Sequence, residues 1–259
     1  MGSLESKIAV VTGASRGIGR AIAQKLALEG AKVVLCARDG DKLGDVVREI
    51  QKAGGEAGAC ALDLSLETAP AELVAAAMER YGAIDIVVNN AGATKRGDFL
   101  TLTEEDWSDG FALKFYATVR LTRAAWPYLK ASGGSVLNII GVGGRTPGVE
   151  FAIGGSVNAA LLSLTKVLAD LGIQDGVQVN AISPGMIRTD RFQKTLSKFA
   201  EANRVDLEAA EHLLIQKANT TRIGEPEDIA QLAAFILSPA GRLLQGSLID
   251  MDGGHTKTL

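Results

Sequence analysis

Short apolar runs alternate along the chain with longer segments in which apolar residues recur at helical spacing. Runs such as KIAVVTG, AKVVLCA and IDIVVNNAG are almost continuously apolar, which is typical of strands that are covered on both faces. Strands that alternate with helices form a parallel sheet with helices on both sides. The chain is therefore predicted to be an α/β protein with about seven parallel strands. No linker, repeat or low-complexity tract interrupts this pattern, so residues 1–259 are predicted to form a single domain.

The glycine-rich segment TGASRGIG joins the first predicted strand to the first predicted helix. Its glycines allow the backbone to turn tightly and to approach a pyrophosphate, and the helix start offers free N–H groups and a positive dipole end. A position between a strand and a helix is the context that a dinucleotide-binding turn requires. The alternative is a tight turn without a ligand. The predicted cofactor contacts in this segment are Gly13, Ser15, Arg16, Gly17, Ile18 and Gly19.

The end of the second predicted strand indicates which nucleotide is bound. An acidic residue there would accept hydrogen bonds from the adenosine ribose and disfavour a 2′-phosphate. This chain instead has Arg38, and Arg16 lies in the glycine turn. Arginine binds phosphate bidentately, so NADP(H) is predicted in preference to NAD(H). The alternative for Arg38 is a solvated charge at the end of a strand.

The composition excludes several classes of protein. With 27 lysine and arginine residues against 30 aspartate and glutamate residues, the chain gives no reason to expect a nucleic-acid partner. No uncharged apolar run approaches the ~18 residues of a membrane span, and the N-terminus lacks a signal-peptide pattern. We therefore expect a cytoplasmic protein without a membrane partner. The two cysteines lie in apolar runs and the two histidines lack ligand companions, so no metal site is predicted.

Four motifs together resemble the short-chain dehydrogenase/reductase family. They are TGASRGIG in the first turn, Asp63 in ALDL, NNAG at residues 89–92 after the fourth strand, and SPGMIRT at residues 183–189 after the sixth. The resemblance covers essentially the whole chain, in order. It implies a Rossmann-type, doubly wound parallel sheet, a nicotinamide dinucleotide cofactor and a small-molecule substrate.

The resemblance also implies roles for residues beyond the glycine turn. The adenine is expected to contact Asp63 and Leu64, and the middle of the cofactor to lie along Asn90, Ala91 and Gly92. The nicotinamide carboxamide is expected to be held by Pro184, Gly185, Ile187 and Thr189. Family members commonly pair through two long central helices, so a homodimer or homotetramer is expected.

The family's catalytic side chains are absent from this chain. The family usually carries a serine after the fifth strand, a tyrosine and a lysine in Y-x-x-x-K on the next helix, and an asparagine on the preceding helix. Those positions hold Gly141, Gly154, Asn158 and Lys114, respectively. Positioned acid–base catalysis is typically worth 10²–10⁴-fold, or about 3–5 kcal/mol of barrier. Glycine has no side chain that could supply it.

The lysine and asparagine positions are exchanged. In the family these two side chains lie close together and are linked through water, so the exchange would keep an amine and an amide near the nicotinamide ribose. We hypothesise that Lys114, with Asn158 beside it, replaces the lost ammonium and serves as the proton donor. An amine that is desolvated beside other cations has a lowered pKa. The alternative is a structural lysine that packs on its helix or pairs with a carboxylate.

Two functions remain open at this point. One is an NADP(H)-dependent oxidoreductase with a non-standard active site, which either uses another acid or catalyses a reaction that needs no tyrosine, such as reduction of an activated C=C or imine bond. The other is a catalytically silent NADP(H)-binding sensor or partner subunit. The helical segment at about 189–221 is expected to cover the substrate, and its apolar residues suit a hydrophobic substrate. The glycines at positions 141, 143, 144, 154 and 155 either open room for a bulky ligand or make a mobile loop.

Overall fold

The computed structural model describes residues 2–258, which contain one parallel sheet. Its strands are β1 (Ile8–Thr12), β2 (Lys32–Ala37), β3 (Glu56–Ala61), β4 (Ile86–Asn89), β5 (Ser135–Ile139), β6 (Gln178–Pro184) and β7 (Leu248–Met251). They lie in the order β3-β2-β1-β4-β5-β6-β7, and every neighbouring pair is parallel. The predicted doubly wound sheet of seven strands is confirmed.

Successive residues of the central strands enter two separate cores. Ala9 and Val11 of β1 belong to the core on one face, whereas Val10 belongs to the core on the opposite face. Successive side chains of a strand point to opposite faces. Both sets must therefore be apolar when helices cover both faces, and the strands read as continuous apolar runs.

Nine α-helices within residues 2–258 surround the sheet. They are α1 (Gly17–Leu28), α2 (Gly40–Lys52), α3 (Ala69–Tyr81), α4 (Glu104–Phe111), α5 (Ala117–Ser132), α6 (Ala152–Asp175), α7 (Asp190–Asn203), α8 (Leu207–Ala218) and α9 (Pro226–Leu237). The first core takes residues from α1, α2 and α9, and the second takes residues from α3, α5 and α6. A five-residue π-helical turn, Ala112–Tyr116, joins α4 to α5.

Helix α6 is the longest helix in the described part of the chain. The span Val149–Asp175 has the length and mean hydropathy (1.4) of a membrane-crossing helix, with 39% of its most apolar window buried. Length and composition do not separate such a helix from a core helix. Ile153, Val157 and Leu161 of α6 are buried in a third core with residues of the sheet, so one face of α6 packs against the protein.

The carboxyl ends of β1 and β4 meet where the strand order reverses, because β2 and β3 lie on one side of β1 and β4 lies on the other. In open α/β sheets, ligands bind outside the carboxyl ends of the strands at such a switch point. Helices α7 and α8 follow β6 and share a small core of their own. The predicted substrate-covering segment at 189–221 therefore contains two helices that pack on each other.

Candidate active site

The glycine turn forms a cradle that leaves no room for side chains. Gly13 has a φ of +65°, and a Cβ on it would lie 2.7 Å from Nδ2 of Asn90. A Cβ on Gly19 would overlap the carbonyl oxygen of Gly13 and the amide of Asn90. Nδ2 of Asn90 holds the turn by donating to the carbonyl oxygens of Thr12 (2.9 Å) and Gly13 (3.3 Å). Close approach of the backbone therefore requires glycine at both positions.

Helix α1 begins at this cradle. It starts at Gly17, whose φ is +53°, and the N-cap residue Arg16 makes no side-chain cap in the described structure. Ser15 beside it is half-buried, and Ile18 packs against the first core. Uncapped N–H groups and the positive end of the helix dipole suit an anion. The cradle and the helix start together fit the pyrophosphate of a dinucleotide.

Arg38 and Asp63 meet just beyond the ends of β2 and β3. Nη1 of Arg38 lies 3.9 Å from Oδ2 of Asp63. Oδ1 of Asp63 accepts hydrogen bonds from the hydroxyl (2.7 Å) and the N–H (3.0 Å) of Ser65, and these bonds, with a smaller effect of Arg38, lower the pKa of Asp63. Leu64 is buried in the second core, so only its backbone is open to an adenine.

Arg16 and Arg38 approach different carboxylates. Nη1 of Arg16 lies 3.4 Å from Oδ2 of Asp190 at the start of α7, whereas Arg38 lies near Asp63. Both arginine side chains are largely exposed, at 67% and 72% respectively. Exposed ion pairs of this kind contribute little free energy, so either guanidinium is able to turn toward a bound phosphate.

The segment that follows β4 is fastened to the cradle. The backbone N–H groups of Asn90 and Ala91 both donate to the hydroxyl of Thr12, at 2.9 and 3.0 Å. Gly92 comes next, and a Cβ on it would lie 2.8 Å from Cδ of Lys114. The NNAG motif therefore runs from the glycine cradle directly to the amine predicted to be catalytic.

The segment that follows β6 reaches the glycine turn at the carboxyl ends of the strands. Pro184 ends the strand, and the N–H of Gly185 donates to the carbonyl oxygen of Met251 at 3.1 Å. Ile187 is buried. Thr189 is the N-cap of α7, and its methyl group would lie 3.1 Å from a Cβ on Gly17. The SPGMIRT motif thus touches the glycine turn, as a shared cofactor site requires.

Lys114 reaches from the π-helical turn to Asn158 on α6. Its Nζ donates to Oδ1 of Asn158 at 2.6 Å and to the carbonyl oxygen of Ile140 at 2.5 Å, just after β5. Asn158 itself is 2% exposed. The exchanged lysine and asparagine are therefore joined by a direct hydrogen bond, where the resemblance implied a link through water.

The amine of Lys114 has an unusual proton affinity. Burial, with a smaller effect of the positive charge on Arg191, lowers the pKa of Lys114 to about 7. Its two hydrogen-bond acceptors among residues 2–258 are neutral carbonyl oxygens. A group with a pKa near the working pH is suited to proton transfer. The π-helical turn that carries it is also a feature often found at functional sites.

The ring of Phe151 occupies the space beside Gly154. A Cβ on Gly154 would overlap this ring, and a Cβ on Gly143 would lie 2.7 Å from it. The guanidinium of Arg96 lies over the same ring, 4.1 Å from its centroid. The space beside the expected tyrosine position is therefore filled by a side chain that cannot donate a proton. The spacing of three residues between Phe151 and Gly154 was the sequence signal for this contact, since residues three apart meet on a helix.

Gly141, Gly144 and Gly155 allow close packing and do not open a cavity. Gly141, at the serine position, has a φ of +126°, and a Cβ on it would lie 3.2 Å from Nδ2 of Asn158. A Cβ on Gly144 would lie 3.0 Å from the backbone N of Ala159. A Cβ on Gly155 would lie 3.1 Å from Cβ of Pro147. The expectation that these glycines make room for a bulky ligand is wrong, because the loop lies directly against α6.

Comparisons with known proteins decide the family. Residues 13–256 match a family model described as enoyl-(acyl carrier protein) reductase. The chain is 38% identical over 255 residues to an uncharacterized oxidoreductase of Mycobacterium tuberculosis, with 98% of this chain and 93% of that protein covered. The chain belongs to the short-chain dehydrogenase/reductase family.

Two solved structures resemble this short-chain dehydrogenase/reductase closely. L-sorbose reductase from Gluconobacter frateurii, solved with NADPH and L-sorbose, has a TM-score of 0.95 and 32% identity, covering 100% of this chain and 99% of that one. A 7 alpha-hydroxysteroid dehydrogenase, solved with NADH and 7-oxo glycochenodeoxycholic acid, has a TM-score of 0.89 and 31% identity, covering 99% and 96%. The fold is thus shared by proteins that hold different nicotinamide nucleotides.

Arg188 is a residue of this short-chain dehydrogenase/reductase that the sequence analysis missed. It lies in the SPGMIRT motif and makes a bidentate ion pair with Glu211 of α8, at 2.7 and 2.8 Å. Its Nε also donates to Glu225 at 2.9 Å, just before α9. Glu211 and then Glu225 raise the pKa of Arg188. No local pattern could indicate partners that lie 23 and 37 residues away along the chain.

Proposed function

We propose that this protein is an NADP(H)-dependent oxidoreductase of small molecules in which Lys114 takes the place of the family's tyrosine as proton donor. The observation that carries the proposal is the hydrogen-bonded cluster of Lys114, Asn158 and the Ile140 carbonyl, which lies beside Gly92 at the end of the cofactor cradle. The family membership supports the oxidoreductase class. The cluster supports Lys114 as the proton donor, since it holds this titratable amine at the position where the family carries its asparagine.

The corner beyond β2 supports NADP(H) over NAD(H). Asp39 is the first carboxylate after β2, but its side chain caps α2 by accepting from the N–H of Lys42 at 3.1 Å and from Nζ of Lys42 at 2.6 Å. An acid that is occupied in this way does not compete for the ribose hydroxyls. Arg38 is left exposed at the same corner. The NADPH held by the similar L-sorbose reductase agrees with this preference.

The chemistry needs one hydride and one proton. A bound nicotinamide cofactor supplies the hydride to an electrophilic carbon of the substrate. The Lys114 ammonium carries three N–H groups, of which two are bonded to Ile140 and Asn158. The third is left to protonate the substrate oxygen as the carbon–oxygen double bond becomes a single bond. The resulting neutral amine keeps two N–H groups for the same two acceptors, so proton transfer leaves no buried acceptor unpaired.

A second function is favoured by a separate observation. Phe151 fills the space beside Gly154, and Arg96 stacks on its outer face. The glycine cradle is intact, but a side chain fills the space beside the expected tyrosine position. This combination suits a protein that binds NADP(H) without turning over a substrate. The alternative is therefore a silent NADP(H) sensor or a partner subunit.

Titration of the purified protein with NADPH and NADH, followed by nicotinamide fluorescence, tests both functions. We expect tighter binding of NADPH than of NADH by the wild type. In a panel of carbonyl substrates followed by NADPH oxidation, Lys114→Gln is expected to lower kcat by about a hundredfold or more. Lys95→Gln is the matched control, because Lys95 is exposed and pairs with Asp106 away from Asn158.

The outcomes separate the alternatives. Turnover that is unchanged in Lys114→Gln would exclude Lys114 as the proton donor. NADPH binding without turnover of any panel member by the wild type would favour the silent alternative. Absence of binding for both nucleotides would contradict both functions, because both depend on the cradle.

A further inference from the structure

Two arginines, Arg96 and Arg191, stand at the reacting end of the cleft. Arg191 is the second residue of α7, and its Nη2 donates to the carbonyl oxygen of Gly92 at 2.9 Å. Lys114 packs against the same glycine. Arg96 lies over the ring of Phe151, which fills the space at Gly154. The two guanidinium groups therefore border the region between Lys114 and the former tyrosine position.

Neither arginine forms an ion pair with a carboxylate in the described part of the chain. Their neighbours do: Lys95 pairs with Asp106 at 2.8 Å, and Arg16 pairs with Asp190 at 3.4 Å. Glu150, the residue before Phe151, accepts from the N–H of Gly97 through its backbone carbonyl at 3.1 Å, and its carboxylate forms no ion pair with Arg96 within the described residues. Arg191 contacts a neutral carbonyl oxygen and Arg96 contacts an aromatic face. Both guanidinium groups keep donors for a further partner.

The positive charges of this region also act on one another. Desolvation lowers the pKa of Arg191, and the charges of Arg96 and Arg16 lower it further. The charge of Arg191 in turn contributes to the lowered pKa of Lys114. Cations that disfavour each other in the free protein are stabilised when an anion binds among them. The cluster is therefore arranged for a negatively charged ligand.

We propose that Arg96 and Arg191 bind an anionic group of the substrate, a carboxylate or a phosphate, on the molecule whose carbonyl is reduced. The proposal deepens the proposed function and rests on it. Arginine presents its donors in a planar fork that matches both groups. The anion would direct the neighbouring carbonyl toward Lys114. Arg96 and Arg191 are then residues that determine substrate specificity.

The pyrophosphate of the cofactor is the other source of a phosphate. Arg191 follows Asp190, whose carboxylate approaches Arg16 of the glycine turn, so this arginine lies within the wider reach of the cradle. Arg96 favours the substrate, because it lies on the ring of Phe151 beside Gly154, the expected tyrosine position. An experiment must therefore measure the affinity for the cofactor and for the substrate anion separately.

Benzoylformate and methyl benzoylformate form a suitable probe pair, because they share a carbonyl and differ in one negative charge. Each is titrated by calorimetry into protein loaded with NADP⁺, which cannot deliver a hydride, so the measurement does not depend on turnover. The variants are Arg96→Gln and Arg191→Gln. Arg123→Gln is the matched control, since Arg123 is an exposed arginine of α5. Inorganic phosphate is titrated into cofactor-free protein as a second probe.

We expect benzoylformate to bind about tenfold tighter than its ester, as one or two charge-assisted hydrogen bonds would produce. Arg96→Gln and Arg191→Gln should each remove most of this preference and weaken phosphate binding, while Arg123→Gln changes neither. Equal binding of acid and ester, or binding of neither acid nor phosphate, would overturn the proposal. A weaker affinity of Arg191→Gln for NADP⁺ with an unchanged acid preference would assign Arg191 to the pyrophosphate and also overturn it.

The phosphate titration keeps this test distinct from that of the proposed function. If the protein binds no nucleotide but binds phosphate through both arginines, the anion site is supported and the proposed oxidoreductase function is contradicted. If the protein binds NADPH and turnover is lost in Lys114→Gln, but acid and ester bind with equal affinity, the oxidoreductase function is supported and the anion site is contradicted.

Discussion

The two ends of the cleft are built from different kinds of contact. At the cradle, glycine backbone segments approach one another so closely that a Cβ on Gly19 would overlap the carbonyl oxygen of Gly13, and the side-chain amide of Asn90 holds the turn. At the reacting end, the contacts are made by side chains: Lys114 bonds to Asn158, and the ring of Phe151 fills the space at Gly154. The first end carries the glycine motif, and the second holds Gly141, Gly154, Asn158 and Lys114 where the family resemblance predicts serine, tyrosine, lysine and asparagine.

This difference shows which kind of site tolerates change. A backbone cradle works only if several glycines stay together, because one added methyl group disturbs the whole turn. A side-chain cluster can be rebuilt by exchange, since an amine and an amide that bond to each other are able to trade places. The backbone cradle is therefore expected to tolerate fewer substitutions than the side-chain cluster beside it.

Gly19→Ala tests the backbone end and should have the largest effect. The added Cβ would overlap the carbonyl oxygen of Gly13 and the amide of Asn90, so we expect the affinity for NADPH to fall by about a hundredfold or more. Nicotinamide fluorescence measures the affinity, and circular dichroism shows whether the variant is folded. Gly148→Ala is the control, because its φ is −90° and a Cβ there meets nothing within 4 Å. Binding by folded Gly19→Ala equal to that of the wild type would show that the cradle can relax.

The pH profile of turnover tests the side-chain end. The donor form of Lys114 is the ammonium, and its pKa is about 7, so kcat should be high below that pH and fall as the pH rises through it. Asn158→Asp would place a carboxylate where the amide oxygen accepts from Nζ at 2.6 Å. An adjacent negative charge raises the pKa of an amine, so the fall should move to higher pH. A pH profile of kcat that is the same in Asn158→Asp and in the wild type would show that Lys114 is not the titrating group.

The same pKa predicts how stability depends on pH. The folded-state pKa of Lys114 is lowered from 10.5 to about 7, so the unfolded chain binds more protons between these values. The contribution of Lys114 therefore makes the free energy of unfolding rise with pH in this window. In Lys114→Met this rise should be smaller, as measured by urea denaturation at several pH values. An identical slope in wild type and variant would contradict the lowered pKa.

Packing between Phe151 and Gly154 tests whether the filled space at the reacting end is specific. Gly154→Ala should lower the free energy of unfolding by about 1–3 kcal/mol, as expected for overpacking. Phe151→Ala removes the ring that the new methyl group would strike. In the double variant the added methyl group should therefore lower the free energy of unfolding by much less, with a coupling energy of about 0.5–3 kcal/mol between the two sites. Additive effects in chemical denaturation would show that the ring moves aside freely.

Arg188→Ala should have the smallest effect, because the ion pairs that it removes are partly exposed to solvent. More than a third of the Arg188 side chain is exposed, so we expect a loss of about 1 kcal/mol and a decrease of about 2–4 °C in Tm. Arg222→Ala is the control: Arg222 pairs with Asp228 but is 58% exposed, so its decrease in Tm should be smaller. A larger effect on NADPH affinity than on Tm would mean that Arg188 shapes the cofactor site directly.

Local patterns predicted most of the fold and the cradle. The period of the apolar residues shows where strands and helices lie, and TGASRGIG requires close backbone approach wherever it occurs. The exchange of Lys114 and Asn158 relative to the family pattern stays a prediction, although the two side chains do bond to each other. Homo-oligomerisation and a cytoplasmic location stay predictions. Phe151 was overlooked even though its spacing to Gly154 was visible, because a glycine suggests room and not a ring that fills it.

By itself the sequence determined the alternation of strands and helices, the glycine turn between β1 and α1, and which residues stand where the family resemblance predicts catalytic side chains. Only the tertiary structure decided that Lys114 and Asn158 bond directly, that Arg188 joins α8 to the start of α9, that Arg96 lies on the ring of Phe151, and that Arg191 donates to Gly92. The physical reason is the distance along the chain over which each kind of signal acts. The period of apolar residues and the spacing of glycines act within a few residues. The partners of a charged side chain depend on the strand order, which brings distant residues together. Lys114 and Asn158 are 44 positions apart, and Gly92 and Arg191 are 99 positions apart.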